Sequence, residues 1–158
     1  MPPRPSRRKS PAGVTTLELV VIVLIVGILA SAAVPAIIRS LSAHRVESAA
    51  QRVKLDLERA RHRARVSSTN QSVQFDPASS SYTLPGISHL DHPGLDYAVD
   101  LAGPPYDSLI TSVDLGGDEE VIFNGYGLPD SGGAVVLQSG QYQRTVTLDA
   151  EHGKATIQ

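Results

Sequence analysis

The sequence contains no cysteine and no tryptophan, and only seven of its 158 residues are aromatic. Without cysteine the chain can form neither a disulfide scaffold nor a thiolate zinc site, and it has no cysteine nucleophile. Seven aromatic side chains also provide little material for a hydrophobic core. A formal net charge of −2 offers no general argument for nucleic-acid binding. The distribution of residues along the chain is therefore more informative than the average composition and the net charge.

The near-neutral charge averages over three zones. Residues 1–13 carry a net charge of +4, residues 14–65 also carry +4, and residues 66–158 carry −10. All seven aromatic residues and 11 of the 13 glycines lie in the third zone. Such asymmetry is typical of a membrane-oriented or assembly protein rather than of a compact enzyme.

A long apolar run follows the basic N-terminus. From Leu19 to Ile38, 17 of 20 residues are apolar and none is charged. As a helix this run would extend about 30 Å, the thickness of the hydrocarbon core of a bilayer, and the basic residues before it predict a cytoplasmic N-terminus. An ordinary signal peptide cut near Ala30–Ala32 is one interpretation. The continuation to Ile38, followed by a helical pattern, favours a retained membrane helix.

Glu18 lies at the start of the apolar run. A carboxylate at the mouth of a membrane helix is costly in lipid, so it needs a partner or a role. The residues that lead to it are Ala12-Gly13-Val14-Thr15-Thr16-Leu17-Glu18. This segment resembles the cleavage motif of type IV prepilins, in which a short basic leader ends in glycine and is followed by an apolar residue and Thr-Leu-Glu.

The resemblance to type IV prepilins implies how the chain would be processed. A membrane peptidase would cut after Gly13 on the cytoplasmic side and N-methylate Val14, which stands where the family most often has Phe or Met. The new amine of Val14 would lie about one helical turn from Glu18. In a filament, Glu18 of one subunit could then neutralise the amine of a neighbour. The simpler hypothesis is that Glu18 only marks the membrane boundary.

Residues 14–66 are predicted to form one long helix that flexes at Gly27 and Pro35, where the resembled family often has a glycine and a proline. Because Pro35 cannot donate its N–H, a kink or a local break is expected just before it. Beyond the apolar run, one stripe of apolar residues recurs at helical spacing, and its alanines would allow a sheet to approach closely. The stripe residues are Val46, Ala49, Ala50, Val53, Leu57, Ala60 and Ala64.

A dense basic cluster lies at the end of this helix. Its members are Arg59, Arg61, His62, Arg63 and Arg65. Three interpretations remain open: solvated cations that complement the helix dipole, contact with the acidic body of a neighbouring subunit, and contact with DNA phosphates. The helix offers no aromatic residue to stack on bases, so DNA is the least favoured of the three.

The β-rich remainder gives the chain an α+β fold. About 90 residues can hold a modest core without disulfides, and turn signals separate short apolar segments, with hairpins at Asp76–Ser81 and Ser139–Tyr142. One face of the resulting sheet would pack against the alanine stripe. The predicted strands are residues 72–75, 82–84, 95–99, 109–115, 120–123, 134–138, 143–149 and 154–157.

A second resemblance lies in the C-terminal part. The run Val121–Gly127, followed by Gly132-Gly133 and a turn at Gly153, resembles the domain shared by the H-type (GspH) pseudopilins of type II secretion and the FimT/FimU-type minor pilins. It implies a long N-terminal helix whose second half packs on a small antiparallel β-sheet or sandwich. The implied parts are a cytoplasmic leader (1–13), a transmembrane and assembly helix (14–38), the periplasmic half of the helix (39–70) and a β-rich domain (71–158).

The sequence predicts no catalytic, cofactor or metal site. His89-Leu90-Asp91-His92 lies in a stretch rich in Gly and Pro, where helical ligand geometry is not expected, so a surface loop is favoured. The acidic residues of Asp114–Glu120 are of the type that binds calcium, but their spacing is not that of an EF-hand and a solvated loop is favoured. Neither a Gly-x-Ser-x-Gly elbow nor a phosphate-binding Gly-rich motif occurs.

The expected function is that of a non-enzymatic minor pseudopilin, a structural subunit of a type II secretion pseudopilus that assists protein secretion. The alternatives are a FimT/FimU-type minor pilin, with a role in pilus assembly or DNA uptake, and a secreted or tethered β domain with an ordinary signal peptide.

Expected partners are other pseudopilins or pilins through the N-terminal helix, the prepilin peptidase and the membrane. Nucleic acid is not favoured, because Arg144 and Lys154 are the only Lys or Arg residues after residue 65. The expected location is the bacterial inner membrane, with one pass and a periplasmic domain, before assembly into the filament.

Overall fold

The computed structural model describes residues 13–89 and 92–158, with the backbone alone for residues 32–36. The predicted leader therefore lies outside the described residues, except for Gly13. The chain divides into an N-terminal unit that ends at Ile37 and a C-terminal unit, Ile38–Gln158. A single helix, α1 (Thr16–Ser67), contains 52 residues and contributes to both units.

Both ends of α1 are closed by local hydrogen bonds. At the start, the Thr15 hydroxyl accepts a hydrogen bond from the N–H of Glu18 at 3.2 Å, which makes Thr15 the N-cap. At the end, the N–H of Thr69 donates to the carbonyl of Ala64, and Ser68 adopts a φ of 51°. A left-handed residue followed by this hydrogen bond is the Schellman arrangement. The helix thus ends one residue beyond its predicted end at residue 66.

The alanine stripe predicted from the sequence is confirmed. Each of its seven residues is at most 2% exposed. On the opposite side of the helix, Ser48, Gln51 and Leu55 are exposed. The part of α1 in the C-terminal unit is therefore amphipathic, and small side chains form much of its buried face.

Eight strands form two antiparallel sheets of four strands each. Their bounds are β1 (Gln71–Asp76), β2 (Ser81–Ser88), β3 (Asp96–Asp100), β4 (Leu109–Asp114), β5 (Glu120–Phe123), β6 (Gly133–Ser139), β7 (Tyr142–Leu148) and β8 (Ala155–Ile157). The strand orders are β3-β2-β1-β5 and β4-β6-β7-β8. All eight predicted strands are present. Strand β2 continues past its predicted end at Leu84, because an irregularity around Gly86, with φ of 77°, lets pairing with β3 resume at Ser88.

One buried cluster joins the helix to both sheets. It contains the stripe residues together with inward side chains of the first sheet, such as Val73 and Phe123, and of the second, such as Val135 and Leu137. Tyr82 and Phe123 are the largest of the fully buried side chains. Four of the seven aromatic residues, Phe75, Tyr82, Tyr97 and Phe123, are thus buried in this cluster.

Both predicted hairpins are confirmed. In the first, the Asp76 carboxylate accepts hydrogen bonds from the N–H of Ala78 and from the hydroxyl of Ser79, and the bonds from Ser79 lower the pKa of Asp76. In the second, Ser139 pairs with Tyr142 across a two-residue turn in which Gly140 has a φ of 57°. Glycine adopts this left-handed backbone without steric cost.

Within the part of the chain that the structure describes, no helix has both the length and the sustained hydropathy needed to cross a membrane. The membrane helix predicted over residues 14–38 is thus not confirmed. Helix α1 continues through Gly27 and Pro35 without a break. A kink at these two residues stays a prediction.

We expect Ala49→Leu to lower the free energy of unfolding of the C-terminal unit by about 1–3 kcal/mol, because the extra carbons have no space at a fully buried position. The matched control is Ser48→Leu, which adds a similar side chain on the exposed face. Urea denaturation of the two variants measures the difference. Equal stability of the two would contradict close packing at the alanine stripe.

Candidate functional site

The predicted cleavage site lies just before the helix. Gly13, Val14 and Thr15 precede the first residue of α1 and are exposed. A Cβ built on Gly13 would meet no atom within 4 Å, and Val14 is 66% exposed. Exposed backbone outside regular structure is where proteases act most readily. A peptidase could therefore reach the bond between Gly13 and Val14 without unwinding α1.

Glu18 lies in the first turn of α1, three residues after the N-cap Thr15. A carboxylate there interacts favourably with the positive end of the helix dipole. The Glu18 side chain is exposed, and none of the ion pairs among residues 13–89 and 92–158 includes it. Its charge is therefore available to a cation from elsewhere. The contribution of Thr15 was not identified from the sequence, although Thr15-Thr16-Leu17-Glu18 has the spacing of a capping box.

The first part of α1 is apolar on every side. Between Leu17 and Leu29, every leucine, isoleucine and valine is at least 48% exposed, and Leu17 reaches 77%. A surface helix of a globular protein would have a polar face. A continuous apolar surface of this kind is a site of interaction with a protein or a lipid. This segment is therefore a candidate interaction surface.

The basic cluster at the end of α1 contacts the β domain of its own chain. Arg61 Nε donates to the carbonyl of Gly127 at 3.2 Å, and Arg63 Nη2 donates to the carbonyl of Gly86 at 3.0 Å. The Arg59 guanidinium lies 4.8 Å from the ring centroid of Tyr97. None of the three interpretations from the sequence included these contacts. Part of the cluster therefore anchors the helix end to the β domain.

Two further ion pairs link α1 to the β domain. Arg45 contacts Asp107 at 2.8 Å, and Glu47 accepts a hydrogen bond from Arg144 Nε at 2.8 Å. The Arg144 hydrogen bond, together with one from Gln51, lowers the pKa of Glu47. The charge of Arg144 is thus compensated within the chain, which leaves the β domain with little positive charge to offer a nucleic acid.

Asp56 is a buried carboxylate at the interface between α1 and the first sheet. It is 4% exposed and accepts hydrogen bonds from the hydroxyls of Tyr82 at 2.6 Å and Tyr97 at 3.1 Å. Arg52 lies one helical turn earlier, with its Nε 3.1 Å from the same carboxylate, and it also donates to the Tyr97 hydroxyl. Four side chains from α1, β2 and β3 thus form one polar cluster beside the apolar core, in which the Arg52 Nε lies close to the carboxylate without forming a hydrogen bond.

The protonation states of this cluster follow from its surroundings. Burial, and then the charge of Asp56, raise the pKa of both Tyr82 and Tyr97. Burial works against the charge of Arg52, but the nearby Asp56 and Tyr97 outweigh it and raise the pKa of Arg52. The tyrosines therefore act as neutral donors to Asp56. In the sequence, this polar cluster is indicated by Asp56, which lies on the stripe side of the helix between Val53 and Ala60.

The described residues of the other two groups considered from the sequence lie at strand ends and in the connections between strands. The rings of His89 and His92 are 5.1 Å apart between centroids, whereas Leu90 and Asp91 lie outside the described residues. In the acidic loop, Asp114 accepts a hydrogen bond from the N–H of Gly117 at 3.0 Å. Over residues 13–89 and 92–158, no three His, Asp or Glu side chains are grouped so that they could hold a metal ion.

We expect Tyr82→Phe to lower the free energy of unfolding by about 2 kcal/mol, because the buried Asp56 carboxylate loses its shortest hydrogen bond. Tyr126→Phe is the matched control, since the Tyr126 side chain is 84% exposed. Denaturant titration of both variants provides the comparison. If Tyr82→Phe were no more destabilising than the control, the cluster would not stabilise the fold.

Comparison with known proteins supports the fold alone. No family model and no curated protein matches the sequence. Two crystal structures of the type IV minor pilin FimU from Pseudomonas aeruginosa are similar to this chain. One has a TM-score of 0.53 at 13% identity, covering 71% of this chain and 91% of the chain in that crystal structure. The other has a TM-score of 0.51 at 15% identity, covering 73% and 89%. The chain therefore has a type IV pilin-like fold, with a long N-terminal helix and antiparallel sheets.

Proposed function

We propose that the chain is a non-catalytic, minor structural subunit of a type IV pilin-like filament, and that it enters the filament through the first part of α1. The observation that carries this proposal is the exposed apolar surface between Leu17 and Leu29. Parallel helices of the same kind would cover that surface on all sides. The similarity to FimU supports the proposal, because FimU is itself a type IV minor pilin.

The N-terminal residues have proposed roles in processing and assembly. Cleavage after Gly13 and methylation of Val14 would leave a charged amine ahead of α1. An isolated charge among apolar helices is costly, whereas a charge pair is tolerable. Glu18 of one subunit would provide the opposite charge for the amine of another, and its exposure without an ion pair among the described residues supports this role. Gly27 and Pro35 would flex the helix within the filament.

The proposed location follows from the same scheme. Before assembly the subunit would lie in the bacterial inner membrane, with its leader in the cytoplasm and its β domain in the periplasm. The prepilin peptidase would act on it there. Afterwards the first part of α1 would lie among the helices of other pilins or pseudopilins. The excess of basic residues before the apolar run supports this orientation.

Two kinds of filament fit the proposal. A minor pseudopilin of type II secretion is the first, supported by the GspH-like C-terminal segment. A minor pilin of a type IV pilus is the second, and the fold shared with FimU favours it. A role in DNA uptake has less support, because Arg144 already pairs with Glu47. The genes next to the coding gene distinguish the two systems: a secretion-type secretin and ATPase indicate the first, whereas pilus assembly genes indicate the second.

Mass spectrometry of the processed protein tests the cleavage proposal. We expect a chain that begins at Val14 with one added methyl group, and we expect Gly13→Val to prevent cleavage, because the peptidase would require the glycine. Ala30→Leu should leave processing unchanged. A signal-peptide mechanism predicts the reverse, with a new N-terminus near Ala33, loss of cleavage in Ala30→Leu and normal cleavage in Gly13→Val.

Replacing the carboxylate of Glu18 tests the assembly proposal. We expect Glu18→Gln to be processed but to be largely missing from sheared filaments, because the neighbouring amine loses its counter-charge. Glu119→Gln removes the same charge from an exposed residue of the β domain and should be incorporated normally. Immunoblots of filament and membrane fractions measure the distribution. Equal incorporation of the two variants would show that Glu18 has no assembly role.

A further inference from the structure

An open cleft lies where the end of α1 meets the loop between β5 and β6. Its lining residues are Ser68, Asn70, Asn124, Gly125 and Tyr126, and its volume is about 410 Å³. Tyr126 is 84% exposed. The other aromatic residues, by contrast, are buried or partly buried. An aromatic ring held in solvent beside a cleft is a common feature of recognition sites.

The loop that carries Tyr126 is held by its own hydrogen bonds. The Asn124 side-chain oxygen accepts from the N–H groups of Tyr126 at 3.0 Å and Leu128 at 3.1 Å. The N–H of Asn124 donates to the carbonyl of Leu128, and the N–H of Gly127 donates to the carbonyl of Asn124. Tyr126 therefore projects from a closed turn rather than from a loose segment. A rigid aromatic side chain loses little conformational entropy when it binds.

The two glycines beside Tyr126 let the turn pack tightly on the helix end. A Cβ on Gly125 would lie 2.9 Å from the backbone of Ser68, and a Cβ on Gly127 would lie 2.5 Å from the side chain of Arg65. Arg61 Nε also donates a hydrogen bond to the carbonyl of Gly127 at 3.2 Å. These contacts bring Tyr126 next to Ser68 and Asn70, although they are far apart in the chain.

The chemistry of the lining selects one class of ligand. The cleft residues have no charged side chain, and they provide a hydroxyl, two carboxamides and an aromatic ring. Within the described ranges, the Ser68 hydroxyl, the Asn70 carboxamide and the Asn124 amide nitrogen make no side-chain hydrogen bond to the protein. A pyranose ring matches this set, since its C–H face stacks on an aromatic ring while its hydroxyls both donate and accept hydrogen bonds. The geometry points to a saccharide-binding site with Tyr126 as its stacking platform.

This site is independent of the assembly role of the N-terminal helix. A phosphate or nucleotide ligand would need cations in the lining, and neither Arg61, which donates to Gly127, nor Arg65, whose side chain packs against Gly127, is among the lining residues. A single sugar in an open cleft would bind with a Kd of about 1–10 mM, because few contacts offset the translational and rotational freedom that is lost on association. Repeated subunits or a longer saccharide would strengthen such binding.

Nuclear magnetic resonance titration of the full chain tests the saccharide site. The protein is prepared in dodecylphosphocholine micelles, whose headgroup is not a sugar, and is titrated separately with glucose, galactose, mannose and N-acetylglucosamine. We expect at least one of these to cause saturable shifts confined to the amides of 68–70 and 124–127 and to the Asn70 and Asn124 carboxamides. Tyr126→Ala should weaken binding by about tenfold or more, whereas Tyr126→Phe should keep it within about threefold, since stacking needs only the ring.

Three results would overturn the saccharide site. The first is the absence of saturable shifts at the cleft with every sugar of the panel. The second is unchanged binding in Tyr126→Ala, with signals outside the loop showing that the variant is folded. The third is a response of the same residues to an oligothymidine but to none of the sugars, which would assign the cleft to single-stranded nucleic acid.

Discussion

The close packing of α1 on the β domain depends on small side chains along one face of the helix. Ala49, Ala50, Ala60 and Ala64 are fully buried, and a methyl group is the largest side chain they bring to the interface. The helix can therefore share one apolar cluster with both four-stranded sheets. The Asp56 cluster and the ion pairs of Arg45 and Glu47 lie around this contact. These polar contacts determine which residues of the helix and the β domain face one another, whereas the small alanine side chains allow the helix to approach the sheets closely.

The same helix presents a different surface in its first part. From Leu17 to Leu29 no side is covered, although these residues are as apolar as a protein core. An apolar helix surface that is exposed in this way is typical of an interaction surface for a protein or a lipid. Association with similar helices removes this apolar area from water or lipid without requiring a catalytic or ligand-binding group. This is the physical basis for the filament role that we propose.

Much of the fold follows from periodic patterns in the sequence. The stripe at spacings of three and four predicted the buried face of α1, and short apolar segments between turn formers predicted the strands. The Asp56 cluster could not be predicted in the same way, because a carboxylate on a helix is usually exposed and its tyrosine partners are 26 and 41 residues away. The contacts of Arg61 and Arg63 were missed for a similar reason, since they end on the backbone carbonyls of Gly127 and Gly86, which are 66 and 23 residues away. Local patterns indicate which residues are buried, whereas long-range hydrogen bonds depend on the tertiary structure.

Site-specific photocrosslinking tests the central claim most directly. A photoreactive amino acid at Val23, which is 64% exposed, would be placed in the full chain in cells that make the other filament subunits. We expect crosslinks to the N-terminal helices of other pilin-like subunits, identified by mass spectrometry of the joined peptides. Absence of crosslinks to any such subunit, in cells where the protein is processed and the filament is assembled, would contradict the claim.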